Sequence, residues 1–179
     1  MQFHGMGIGS GIALGTVLRM PDPVPIPAQT ASTLGADREK ARSTHALTAV
    51  ALAIRRRANH AGGSAKDVLD AQAMMAEDPA LHADIDTRID SGATAERAVF
   101  EAFGRFRDIL AGLGGYQAER ASDLDDIWRR AVAELQGVAA PGVPESEHPF
   151  ILVARELAPA DTAVLDLDKV LAVVTAEGG

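Results

Sequence analysis

Apolar positions along the chain recur first with the period of a strand, then of helices, then of strands again. Ile12 to Met20 (IALGTVLRM) is a mostly apolar run behind a glycine-rich lead, which predicts a strand. From Leu34 to about Ala61 the period is helical: Leu47, Val50, Ala51, Ile54 and Ala58 share one stripe, and Arg55 and Arg56 point elsewhere. Gly62-Gly63 stops that helix. Ser64 ahead of Ala65-Lys66-Asp67 then predicts an N-cap with an acid in the first turn, and Val68, Leu69, Gln72, Met75 and Ala76 form the next stripe. Asp78-Pro79 restarts the chain as a new helix, because Asp caps well and Pro suits the first helical position. Leu81, Ile85 and Ile89 follow at four-residue spacing. Thr94 with Glu96 opens another helix, whose inner side is predicted to carry Val99, Phe103, Phe106, Leu110 and Leu113. The last long helix is predicted over Tyr116 to Gln136, with Ala121, Leu124, Trp128, Ala131, Val132 and Leu135 inward and Gly137 closing it.

Two proline-rich stretches bracket the helices. PDPVPIP at 21–27 holds four prolines, which lack an N–H and fix φ, and AAPGVPESEHP at 139–149 is similar. Beyond the second lie a buried-strand run at Phe150 to Val153, a short proline-started helix at Pro159 to Leu165 and an apolar β run at Val170 to Thr175. The expected layout is an α+β protein of two domains, a helical block inserted into an α/β domain. The α/β domain takes residues 1–20 and 150–179, the helical domain takes 34–137, and 21–33 and 138–149 are linkers.

Composition narrows the class. The chain has 179 residues, 47% of them hydrophobic and 23% charged, which is enough for a buried core and excludes a disordered chain. Alanine supplies 34 residues and aromatics only 4%, favouring closely packed helices over a β-sandwich. The absence of cysteine excludes disulfides, thiolate nucleophiles and Cys-based metal sites. A net charge of −8 argues against a nucleic-acid partner. Without a basic start or an uninterrupted apolar span, the expectation is a soluble cytoplasmic protein with no membrane partner.

Candidate chemistry is sparse. GMGIGSG at 5–11 departs from GxGxxG and precedes its strand, so close packing of a flexible lead is favoured over phosphate binding. His4, His45, His60, His82 and His148 are scattered, and the one ExxH, Glu145 to His148, lies in a proline-rich loop, so no metal site is expected. Met74 and Met75 are adjacent at a helix break and cannot both point inward, which offers one of them to a partner. Residues 66–130 carry 14 acids against 8 bases, a balance that would steer a basic partner toward that block.

Four segments resemble one family. Ser-Gly-Ile-Ala-Leu-Gly at 10–15 is similar to the SPGIAxG opening of enzyme I of the bacterial phosphoenolpyruvate:sugar phosphotransferase system. Residues 70–79 (DAQAMMAEDP) resemble its (E/D)AHxxMLEDP segment, with Gln72 in place of the commoner histidine. Residues 119–127 (ERASDLDDI) resemble ERAxDxxDI. LAPADT at 157–162 with VVTAEGG at 173–179 resembles LxPSxT…ITxxGG. The four occur in order and span essentially the whole chain.

The resemblance implies a helical bundle that docks the phosphocarrier HPr, inserted into a swivelling phosphohistidine domain. Its histidine passes phosphate from phosphoenolpyruvate to HPr for sugar uptake. Docking roles carry over to Met74, Met75, Asp78, Leu81, Leu110, Tyr116 and Arg120. Thr162 matches a threonine that orients the active imidazole, and Gly178 and Gly179 match glycines that let backbone approach the phosphate. The family histidine follows that glycine pair, and none of the five histidines here does. The resemblance therefore implies an incomplete phosphohistidine domain that binds HPr without being phosphorylated. It assigns phosphoenolpyruvate, Mg²⁺ and homodimerisation to a C-terminal domain of the full-length enzyme, and no cofactor or metal to these residues. The alternatives are a non-enzymatic helical adaptor derived from such a protein, or a relative of pyruvate phosphate dikinase. The absence of a nucleotide-binding domain and the insert motifs disfavour the last.

Overall fold

The computed structural model describes residues 5–8, 11–61, 63–157, 161–162 and 165–177. The chain divides into two compact units. One takes residues up to Asp22 together with those from Gly142 onward, and the other is Pro23–Pro141.

The second unit is helical: α1 (Ala36–His60), α2 (Gly63–Ala76), α3 (Pro79–Asp90), α4 (Ala95–Leu113), the short α5 (Gly115–Glu119) and α6 (Ala121–Gln136). α1 packs on α2 and α6, and α4 packs on α6 and α3. Alanine makes this close packing possible, since Ala51, Ala73, Ala76, Ala98, Ala102, Ala131 and Ala133 lie in the same core as Leu47, Ile54, Phe103, Ile127 and Val132. The Asp78-Pro79 start of α3 forms as expected: the Asp78 carboxylate accepts from the N–H groups of Ala80 (2.7 Å) and Leu81 (3.2 Å), with Pro at the first helical position. Asp78→Ala should therefore cost about 1 kcal/mol of stability, read as a lower denaturant midpoint with an unchanged slope.

Several sequence expectations are corrected here. α2 starts at Gly63, so Ser64 lies inside the helix and is not its cap. The predicted helix over 116–136 is two helices, α5 and α6, joined at Arg120. Leu113 is 66% exposed, because α4 runs past the end of the core it covers. Ile127, absent from the predicted stripe, is fully buried, and Val24 of the first proline-rich stretch packs into the helical core.

A buried polar cluster fastens the helices at one end. Glu39 is 1% exposed, yet its carboxylate accepts from Ser32 Oγ (2.6 Å), Arg42 Nη1 (2.6 Å) and the Ala95 N–H at the start of α4 (3.1 Å). Arg42 also pairs with Glu96 and donates to the Leu135 carbonyl near the end of α6 (3.3 Å). One carboxylate and one guanidinium thus join α1, α4 and α6.

The first unit holds a three-stranded parallel sheet in the order β1 (Thr16–Arg19), β2 (Phe150–Ala154), β3 (Val170–Thr175). Thr16 pairs with Phe150, and Leu152 pairs with Val173. Central β2 buries Phe150, Leu152 and Ala154, the period-2 alternation of a strand packed on one face. β1 is shorter than predicted, since Ile12 to Gly15 lie outside it. At Gly15 the approach is close: a Cβ there would stand 2.8 Å from Leu171 Cδ1, the end of a side chain that would have to move aside. Among the described residues of the glycine-rich lead, Met6 and Ile8 are fully or almost fully exposed. Of the predicted helix over 159–165, Asp161 and Thr162 are helical, Leu165 is not, and residues 159, 160, 163 and 164 lie outside the described residues.

Candidate docking site

The junction of α2 and α3 builds a surface site. α2 buries Ala73 and Ala76 and half-buries Leu69 and Met75 against the core, which turns Met74 outward. Met74 is 69% exposed, so one methionine of the pair packs and its neighbour is presented. Asp70, Glu77 and Asp78 lie three or four positions from it along the chain, about one helical turn. Asp70 is paired to Lys66, and Glu77 accepts from both guanidinium nitrogens of Arg55 on α1. The Arg55 hydrogen bond holds the Glu77 carboxyl below the usual carboxylate range, which keeps it charged. Asp78 is exposed but already engaged as the α3 cap. His82 Nε2 lies 3.0 Å from the Ala76 carbonyl and bonds to the free end of α2, so the break between α2 and α3 is held from both sides.

The start of α6 also meets α2. Gln72 Nε2 donates to Asp123 Oδ1 (2.8 Å), and Arg120 Nη1 donates to Asp123 Oδ2 (3.2 Å). Arg120 and Asp123 have side chains each 17% exposed, so this ion pair is largely shielded. Nothing local in the sequence signals the contact between Gln72 and Asp123, because the partners are 51 residues apart and meet only when α2 packs on α6.

The seven proposed docking residues do not share one environment. Met74 and Asp78 are exposed, Met75 and Leu110 are half-buried against the core, and Arg120 is folded onto Asp123. Leu81 is a correction: at 1% exposed it is a core residue, reached by its four-residue spacing with Ile85, and cannot touch a partner. Tyr116 lies on α5, and its side chain is outside the described part of the structure. Thr162 is exposed on its helical turn, while Gly178 and Gly179 lie outside the described residues.

Other chemistry is thin. Grooves of about 690 Å³ and 540 Å³ flank α4, lined by Arg88, Glu101, Arg105 and Trp128 in the first and by Asp84, Arg88 and Arg97 in the second. Their charges are consumed in ion pairs such as Arg88 with Glu101 and Arg97 with Glu101 (each 2.6 Å). Among the described residues, no group of three or more histidines or acids is gathered to hold a metal ion, so none is assigned to Mg²⁺. Among the described residues, no helix is long and apolar enough to cross a membrane.

The molecule is thus a helical bundle whose candidate site is a surface, carried on a chain that also builds a small parallel sheet. The chain belongs to the PEP-utilising enzymes: their N-terminal family model matches residues 4–120, and their mobile-domain model matches residues 146–179. It is 52% identical over 176 residues to the phosphoenolpyruvate-protein phosphotransferase of Streptomyces coelicolor, covering 98% of this chain and 31% of that protein. A solved N-terminal domain of Enzyme 1 – Nitrogen superposes with a TM-score of 0.67 at 28% identity, covering 92% of this chain and 70% of that one. A solution structure of an Enzyme I protein gives a TM-score of 0.70 at 25% identity, covering 92% and 69%. The chain spans about a third of the length of the curated relatives it matches over nearly its whole extent.

Proposed function

We propose that these 179 residues serve as the N-terminal part of enzyme I, a phosphoenolpyruvate-protein phosphotransferase of a sugar-uptake system in the cytoplasm, and that the helical unit docks HPr. The observation that carries this reading is Met74, an apolar side chain left exposed at a helix break, with Asp70, Glu77 and Asp78 within one turn of it along the chain. An isolated exposed methionine is common, but one within a turn of three acids, on a chain of net charge −8, suits a partner whose face is basic and partly apolar. In the whole protein a histidine nitrogen attacks the phosphorus of phosphoenolpyruvate, the enolate leaves to become pyruvate, and the phosphoryl group passes to a histidine of HPr. Thr162 would orient that imidazole through its hydroxyl, and Gly178 and Gly179 would admit the phosphate to the backbone. Phosphoenolpyruvate, Mg²⁺ and homodimer contacts belong in this reading to the remainder of the enzyme.

In this reading the part played by the 179 residues is to bind HPr. Titrating them with HPr by NMR or calorimetry should show one-to-one binding, with Met74→Asp weakening it at least tenfold and leaving thermal stability unchanged. Absence of HPr binding, or unchanged affinity in Met74→Asp, would overturn the docking assignment.

A further inference from the structure

We propose that Gln72 is a positioning residue of the docking surface: its amide fixes Asp123, which in turn holds the guanidinium of Arg120 in one orientation for the incoming partner. This rests on the docking reading above. Gln72 is on α2, and Arg120 and Asp123 lie at the start of α6, so the contact links the helix that carries the exposed methionine to the basic group of the trio. A carboxylate only accepts, so the Gln72 atom facing Asp123 must be the amide nitrogen. Each Asp123 oxygen then has its own donor, Gln72 on Oδ1 at 2.8 Å and Arg120 on Oδ2 at 3.2 Å. Without the amide, Asp123 loses its donor from α2 and regains rotamer freedom that docking must remove. Preorganisation of this kind raises affinity without adding a contact to the partner. It also gives the half-buried Gln72 side chain its polar partner.

The test is made on the full chain with HPr as the probe. Gln72→Leu should weaken HPr binding about tenfold, and in an Arg120→Ala background the same change should cost no further affinity, the non-additivity of one linked unit. Far-UV circular dichroism confirms that each variant is folded. In the unmutated chain the Gln72 side-chain amide protons should exchange more slowly than those of exposed Gln117, a measurement that needs no variant. Unchanged HPr affinity in Gln72→Leu, an equal penalty with and without Arg120, or Gln72 amide protons exchanging like free ones would each overturn the proposal. A chain with protected Gln72 amide protons that does not bind HPr would instead defeat the docking reading, leaving the clamp as a structural tie and removing its role in docking.

Discussion

Leu81→Ala destabilises the helical unit by about 3 kcal/mol, the usual cost of removing a fully buried leucine and leaving a partly collapsed cavity. Leu81 lies in the core with Ile85 and Ile89 of α3, together with Leu47 and Phe103, and no solvent reaches it. The loss should lower the melting temperature by roughly 10 °C in a calorimetric scan. Below that temperature the variant should bind HPr as the unmutated chain does, because the side chain never reaches the surface. A direct docking role would give the opposite pair of results, normal stability and weak binding. The measurement therefore separates the sequence motif's assignment of Leu81 from its place in the fold.

Glu39→Ala has a comparable expected effect, about 2–3 kcal/mol, by a different route. It leaves the Ser32 hydroxyl and the Ala95 N–H without their acceptor and deprives Arg42 of one of its two carboxylates. The native group also carries a pH signature. Burial works to raise the Glu39 pKa, but the hydrogen bonds from Ser32, the Ala95 N–H and Arg42 together outweigh it and hold the carboxyl below the ordinary glutamate value of 4.5. Its contribution is therefore complete above pH 4.5 and is lost as pH falls below that through the depressed folded value. Urea titrations across the acid range should show stability of the unmutated chain falling below pH 4.5, with a visibly shallower fall in Glu39→Gln. Equal slopes in the two proteins would mean that Glu39 is not held as a carboxylate.

Much of the local architecture was readable because it depends on neighbours in sequence. The capping of α3 needs only Asp78 and Pro79, and the buried stripe of Leu81, Ile85 and Ile89 needs only their spacing. The outward turn of one methionine of the pair followed from the impossibility of burying two adjacent side chains on one helical face. Three parallel strands followed the apolar runs, although β1 kept only the part of its run that finds a partner in β2. Errors fell where the chain's own period says nothing about what covers it. Leu113 continues the α4 stripe but overruns the core, and the break at Arg120 interrupts a period that otherwise runs on.

The candidate surface divides along the same line. Met74 and Asp78 were visible as residue types at a helix break, and four motifs in order were enough to indicate the family. The sequence by itself determined α1, α3 and α4, the caps at Asp78 and Thr94, most of the inner faces and the acid-rich character of the block that contains them. Only the tertiary structure decided which motif residues are reachable: it buries Leu81, half-buries Met75 and Leu110, and folds Arg120 onto Asp123. It alone joins Gln72 to Asp123 and Glu39 to the start of α4. The physical reason is range. Caps and periodic faces arise from interactions within about one helical turn, whereas exposure and cross-helix hydrogen bonds exist only once distant segments have packed.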